Sequence, residues 1–280
     1  MSPEVHVSTD LRALQKTALK ACRMGREVLL NYLGNLKKIE AKFQAGLVSE
    51  ADKESENVIC AELKKNFPDI EFLGEETHYI NPGQFNQPST KSMRWILDPL
   101  DGTTNYVHQF PIFCISLGLE INGRIDLAVI DVPLMNETYT AIRGQGAFVN
   151  GQKICTSETR NLKDSLLATG FFGENEKYLQ EQIKIFSDIV RQCRGIRRPG
   201  AAAYDLCMVA RGVFDAYWEK GLGPWDSAAG SLLVEEAGGL VTTYRGDSYS
   251  PYKNSLIAGN KFIFNSLQKA LVQYIDDDTH

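Results

Sequence analysis

The sequence has no apolar run approaching the length needed to cross a bilayer, so no membrane role is expected. It lacks a strong charge bias as well. Thirty basic residues stand against 35 acidic ones, for a net charge of −5. The basic residues are scattered apart from short groups such as Lys64-Lys65 and Arg197-Arg198. Nucleic acid is therefore not expected as the main partner. The six cysteines, at positions 22, 60, 114, 155, 193 and 207, form no C-x-x-C pair, and none has a histidine at zinc-finger spacing. A chain of 280 residues can bury a core without disulfides, which points to reduced thiols and a cytoplasmic setting. The first ten residues carry Glu4 and Asp10 and no apolar h-region, unlike a signal peptide. There is no internal repeat, low-complexity tract or linker, so one domain over residues 1–280 is expected.

What the sequence does contain is alternating helical and strand periodicity. Thr9 or Asp10 can cap a helix to about Leu33. A second helix begins at Ser49, with Asp52 three residues on as in a capping box, and ends near Asn66 before Pro68. Short strands follow at Ile70–Leu73 and Arg94–Leu97, separated by a polar loop from Thr77 to Ser92. From Ile112 to Ile142 the pattern is a meander, with a hairpin signal at Asn122-Gly123, a turn from Pro133 to Asn136 and another at Asn150-Gly151. The second half predicts helices over 176–193 and 201–211, a strand over 213–218, and a helix from about Asp226 closed by Gly238-Gly239. Strands near Ile196, over 240–243 and over 255–258, and a helix after Asn260, complete a layered structure with two sheets.

The strongest local signal is Trp95-Ile96-Leu97-Asp98-Pro99-Leu100-Asp101-Gly102-Thr103-Thr104-Asn105. An apolar strand ends in Asp98, and Pro99 forces a turn because it lacks an N–H and has a fixed φ. The turn is expected to bring Asp101 beside Asp98. Paired carboxylates repel unless a cation lies between them, and Mg²⁺ suits such hard oxygen ligands. Gly102 permits close backbone approach, and Thr103 to Asn105 offer hydroxyls and free N–H groups at a helix start, which favours an anion such as phosphate. Taken alone, Asp-Pro-Leu-Asp-Gly is also compatible with a solvated turn. Gly74-Glu75-Glu76-Thr77 places adjacent acids at another strand end, where a further metal ligand or a base could sit; an ordinary surface pair is the simpler reading of that tetrad. Gly223-Pro224-Trp225-Asp226 puts Asp226 at a helix N-terminus, where cap and ligand are equally supported.

Together the Asp98–Asn105 string, the Gly74–Thr77 tetrad and the Trp225–Gly239 segment resemble the inositol monophosphatase family, over nearly the whole chain. The resemblance implies an α+β fold, a layered αβαβα sandwich of the inositol monophosphatase and fructose bisphosphatase type. It also implies Mg²⁺-dependent, lithium-sensitive hydrolysis of a phosphate monoester by a homodimer. Matched position by position, it makes Glu75, Asp98, Asp101, Asp226 and the carbonyl of Leu100 the metal ligands, with Glu76 in support. Gly102 and Thr103 would hold phosphate, and Glu75, Thr103 and Asp52 would serve the attacking water. Gly200, Ala201, Ala202, Glu219 and Asp226 would meet the substrate. Ala201 departs from the family, in which a hydroxyl residue is usual, and Lys42 matches a mobile-loop lysine only approximately. The expected substrate is myo-inositol 1-phosphate. Fructose 1,6-bisphosphate, histidinol phosphate, 3′-phosphoadenosine nucleotides, or a regulatory binding role on the transcription machinery are the alternatives.

Overall fold

The computed structural model describes residues 10–42, 46–80, 87, 92–171 and 176–274. Its helices are α1 (Leu11–Tyr32), α2 (Glu50–Asn66), α3 (Glu75–Ile80), α4 (Thr103–Val107), α5 (Glu176–Ile189), α6 (Ala202–Ala210), α7 (Pro224–Glu236) and α8 (Phe264–Val272). A small hairpin pairs β1 (Ile39–Lys42) with β2 (Gly46–Ser49). A seven-stranded sheet runs in sequence order through β3 (Glu71–Gly74), β4 (Met93–Asp101), β5 (Cys114–Ile121), β6 (Arg124–Val132), β7 (Glu137–Ile142), β8 (Gly146–Val149) and β9 (Gln152–Ile154). A five-stranded sheet contains β10 (Leu166–Thr169), β11 (Gly195–Arg197), β12 (Ala216–Lys220), β13 (Leu240–Thr242) and β14 (Ser255–Gly259), in the order β11-β10-β12-β14-β13.

Three apolar clusters define the layers. Leu14, Ala18 and Leu29 of α1 and Ile59 and Leu63 of α2 pack on one face of the larger sheet, against Trp95, Leu97, Ile115 and Leu117. The other face of that sheet, with Ile96, Ala128 and Ile130, meets α6 and α7, which also cover one face of the smaller sheet through Ala168, Tyr217 and Ala258. Ile185 of α5 and Leu267 and Leu271 of α8 close the far side of the smaller sheet with Trp218 and Ile257. The order is α, β, α, β, α, as the resemblance implied.

Local chemistry explains most boundaries. The Asp10 side chain accepts from the N–H groups of Arg12 and Ala13 and starts α1. Ser49 and Asp52 form the capping box of α2. Asn122-Gly123 and Asn150-Gly151 all take positive φ, as two-residue hairpins require. Five expectations shift, the first being that β4 does not end at Asp98 but runs on through Pro99 to Asp101. Thr77 to Ile80 continue α3 instead of entering the loop, most of which lies outside the described residues. The helix from Glu176 stops at Ile189, short of residue 193. The strand expected from Val213 starts at Ala216, because residues 213–215 complete the turn leaving α6. Finally, β1, β2 and β10 are strands that the periodicity did not mark.

The middle layer depends on close approach of α6 and α7. A Cβ added at Gly230 would lie 2.6 Å from the Cβ of Leu206, an atom that cannot swing away. Gly230→Ala gains about 1 kcal/mol of helix propensity but forces the helices apart, at a cost of about 1–3 kcal/mol. Net destabilisation is expected, read as a Tm several degrees below wild type; an unchanged or raised Tm would show that the packing can relax.

Candidate active site

A strand of ordinary pleat sends residues three apart to opposite faces, so Asp98 and Asp101 would diverge. They do not, because β4 bulges between them. Asp98 pairs with Ser116 and Asp101 with Cys114, three steps on β4 against two on β5. The inserted residue, in a stretch where Pro99 has no N–H to give the ladder, restores both aspartates to the face that meets α6 and α7. Leu97 and Leu100 turn to the opposite face and join the α1–α2 core.

Asp226 arrives from α7. Pro224 occupies the first turn, and Gly223 N–H donates to Asp226 Oδ2 at 2.6 Å. Ser116 Oγ donates to the carbonyl of Trp225 at 3.0 Å, pinning the start of α7 to β5. Candidate ligand atoms of Asp98, Asp101 and Asp226 all lie within 4.8 Å of one another. Asp98 and Asp101 are buried and Asp226 is half-buried. Each is tethered by backbone N–H groups: Asp98 Oδ1 by Leu100 at 2.9 Å, and the Asp101 oxygens by Ala202 at 3.2 Å and Ala203 at 2.7 Å. Among the described residues no lysine or arginine pairs with any of the three.

Glu75 joins them through sheet topology. β3 runs parallel to β4 with Gly74 opposite Leu97, so the residue that follows β3 lies beside Asp98. The two side chains share a hydrogen bond. Burial, followed by Glu75, Asp101 and Asp226, holds the Asp98 carboxyl well above the usual range. Burial pushes Asp101 up to about 6 against the hydrogen bonds it receives, and burial with Glu75 and Asp101 raises Asp226 strongly.

A second cluster adjoins the first. Thr103 Oγ1 lies 2.9 Å from Asp52 Oδ1 and 3.1 Å from the Leu100 carbonyl. Asp52, fully buried, receives Ser49 N–H at 2.8 Å and Ser49 Oγ at 2.6 Å on its other oxygen. Gly102 has φ +91, and a Cβ there would meet the Ile112 carbonyl at 3.0 Å and Ala201 Cβ at 3.2 Å. The Gly102 turn therefore packs on the Gly200–Ala201 turn. α4 is only five residues long, so any anion affinity here comes from individual N–H groups more than from a helix dipole. Glu219, on β12, is half-buried; burial pushes it up to about 7, while the hydroxyl of Tyr217, which donates to it, and Arg198 pull it down. A side chain at Gly170 would collide with this carboxylate. The side chain of Lys42 lies outside the described ones.

Two supporting residues escaped the sequence reading. Glu56, buried and one helical turn beyond Asp52 on α2, accepts from the N–H groups of Glu76 and Thr77, both at 2.9 Å, and from the Thr77 hydroxyl. It caps α3 and fixes the position of Glu75. The only signal was the i, i+4 spacing of two acids after a capping box, which is common on exposed helices. Asn105, read as part of an anion-binding turn, instead spends its amide on the carbonyls of Ile112 (2.7 Å) and Pro199 (2.8 Å), tying the two turns together. His78, just after the tetrad, packs against Trp225 with the rings tilted by 52° and their centroids 5.1 Å apart, joining α3 to α7.

The donor set is carboxylate and carbonyl oxygen, and among the described residues no imidazole or thiolate converges on it. Cys114 Sγ is 3.6 Å from Asp101 Oδ2, but burial keeps that thiol well above its usual pKa, so it acts as a weak donor. Such a set fits an oxygen-loving divalent cation of the Mg²⁺ type.

The chain matches the model of the inositol monophosphatase family over residues 10–277. It is 38% identical to a protein of Pseudomonas aeruginosa named Nus factor SuhB, over 92% of this chain and 95% of that one. It is 36% identical to an inositol monophosphatase of Dictyostelium discoideum, over 89% of this chain and 91% of its relative. Among solved structures, the extragenic suppressor protein suhB of Bartonella henselae superposes with a TM-score of 0.84 at 38% identity, covering 94% of this chain and 100% of that one.

The clustered acids give a pH signature. Asp101 is held at about 6 in the fold against an ordinary 3.8, and its neighbours shift the same way. The fold therefore prefers the protonated forms, and that contribution to stability is lost as pH rises through the folded values. Chelator-treated protein is expected to show a higher Tm at about pH 6 than at about pH 7.5, and added Mg²⁺ is expected to remove the difference. Calorimetry showing no such difference would refute the repulsion.

Proposed function

We propose that this chain, which belongs to the inositol monophosphatase family, is a Mg²⁺-dependent phosphatase that hydrolyses a small phosphate monoester, myo-inositol 1-phosphate first among them. The observation that carries this reading is the set of three uncompensated carboxylates, from β4 and α7, with oxygens within 4.8 Å of one another. Glu75, Asp98, Asp101, Asp226 and the Leu100 carbonyl would hold the metal. The chemistry that bound Mg²⁺ supplies is polarisation of phosphoryl oxygens and a lowered pKa of coordinated water.

The protein's own groups do the rest. Thr103, its hydrogen committed to Asp52, keeps a lone pair to accept from the attacking water and so aims the water oxygen at phosphorus. Asp52 supports that hydroxyl and can accept its proton, and Glu75, beside the cluster, is a second base. The N–H groups of Gly102 and Thr103 hold the phosphoryl oxygens, and Thr103 N–H has no helical acceptor in the first turn of α4. Gly200, Ala201 and Ala202 line the alcohol side with little side-chain bulk, and Glu219, with Asp226, offers carboxylate oxygens to ring hydroxyls. The alanine at 201 removes one hydroxyl contact that family members usually have.

The name of the Pseudomonas relative favours a second reading, a regulatory binding protein on the transcription machinery. The intact carboxylate set favours the enzyme. Among the described residues, no helix is long and apolar enough to cross a membrane. A homodimer and a cytoplasmic location accord with the family reading.

Asp98→Asn tests the assignment. It removes one buried charge from a repelling cluster, so Tm should hold or rise, while turnover with saturating Mg²⁺ should fall by at least about a thousandfold. Near-normal turnover would sink the ligand set. Phosphate release from inositol 1-phosphate, fructose 1,6-bisphosphate, histidinol phosphate and phosphoadenosine phosphate then ranks the substrates, with the inositol ester expected to lead.

A further inference from the structure

The cations that look scattered in sequence are gathered by the fold of α1. This helix carries Arg12, Lys16, Lys20, Arg23 and Arg26 against a single acid, Glu27, in a chain whose net charge is −5. Arg12, Lys16, Lys20 and Arg23 follow one another at steps of four, four and three, all exposed, as one stripe about 16 Å long. The arrangement works against the helix. Like charges at i, i+4 repel, and Arg12 stands in the first turn, where the helix dipole disfavours a cation. A face that only needed to be solvated would mix signs.

Beside the stripe, α1 and the end of α2 enclose a groove of about 750 Å³ lined by Lys16, Lys20, Arg23, Glu62, Asn66 and Phe67. Lys20 Nζ is paired with Glu62 at 2.8 Å, and Asn66 also donates to Glu62. Lys16 and Arg23 make no hydrogen bond or ion pair among the described residues. The groove thus presents two cations without hydrogen bonds, Arg23 also lending some attraction to the buried Asp131, beside the half-buried ring of Phe67 and one carboxylate already paired.

We propose that this α1–α2 groove docks an acidic, partly apolar segment of another protein. Charge complementarity selects the occupant: carboxylates meet Lys16 and Arg23, with Arg12 extending the attraction, and an apolar side chain meets Phe67. Pairing of Lys20 with Glu62 interrupts the positive stripe inside the groove, so the remaining cations suit the separated carboxylates of a peptide better than a continuous phosphate backbone. The surface lies at the far end of α2 from Asp52 and Glu56 and does not depend on the proposed hydrolysis.

The test uses the full chain and a fluorescein-labelled peptide of about 14 residues, Glu and Leu at amphipathic helical spacing, read by fluorescence anisotropy. Wild type is expected to bind it. The double variant Lys16→Glu/Arg23→Glu is expected to bind about tenfold more weakly or worse, and Lys184→Glu/Lys269→Glu, the same charge change on the outer α5–α8 layer, to bind as wild type does. In the first variant the new carboxylate at position 16 gains i, i+4 ion pairs with Arg12 and Lys20, while the one at position 23 stands four residues from Glu27 and removes the attraction of Arg23 for Asp131. This variant is expected to keep its fold, with a small change in Tm and unchanged phosphatase turnover. Should it fail to fold, Lys16→Gln/Arg23→Gln replaces it, with the same expected loss. No binding by wild type, equal loss in both double variants, or binding of an oligothymidylate of matching length in place of the peptide would overturn the proposal.

Discussion

Two like charges 4 Å apart repel by about 4 kcal/mol where the effective dielectric constant is near 20, and burial adds a desolvation cost to each. Asp98, Asp101 and Asp226, with oxygens within 4.8 Å of one another, carry costs of both kinds, and the charge of Glu75 adds to them. A chain can keep such a cluster only by supplying its stability elsewhere. Backbone amides carry that load: Leu100, Ala202, Ala203 and Gly223 each direct an N–H at one of the three carboxylates. Because these donors are fixed dipoles and not side-chain cations, they hold the carboxylates in place without cancelling their charge. The negative potential survives for a cation to meet.

The scaffold around the cluster follows from that requirement. The amides come from three elements, the β4 bulge, the start of α6 and the start of α7, so all three must converge with little tolerance. Small residues make the convergence possible: Gly230 where α7 touches Leu206, Gly102 against Ala201, and Gly74 where any side chain would displace the Glu56 carboxylate. α2 contributes two acids on one face, Asp52 to Thr103 and Glu56 to the cap of α3. The site is therefore held by packing and by main-chain geometry more than by side-chain ion pairs.

Much of this was legible in the sequence, for identifiable reasons. The Ser49–Asp52 capping box and the Asn-Gly turns are local signals, and the structure places them as read; the strand expected to end at Asp98 instead runs on through Pro99 to Asp101, because a bulge absorbs the proline without breaking the ladder. The convergence of Asp226 with Asp98 could not be read locally, since it depends on how α7 lies across the sheet; the resemblance to a family supplied it. Glu56 and Asn105 stayed hidden because their partners are backbone groups, Glu76 and Thr77 for one, Ile112 and Pro199 for the other, and a sequence does not show which amides a fold leaves unsatisfied. β1, β2 and β10, each four residues long, were missed, whereas the equally short β3 was read because Gly74 and the acids after it mark its end. The stripe on α1 does not show in the whole-chain balance, where 30 basic and 35 acidic residues nearly cancel, and emerges only along one helix face.

That last point bears on the two names carried by the relatives, one of an enzyme and one of a Nus factor. The two roles need not compete for the same atoms. Asp52 and Asn66 stand at opposite ends of α2, fourteen residues and about 21 Å apart along its axis, so a partner seated beside Asn66 would leave the carboxylate cluster open. Selection on one end of the helix constrains buried acids and the amides that tether them. Selection on the other end constrains only surface charge, which can change without disturbing the core. The intact carboxylate set thus favours hydrolysis at one end of α2 without bearing on what the other end binds. What would couple them is α2 itself, whose Glu56 caps the helix bearing Glu75; any force that shifted α2 along its axis would be felt first at that cap.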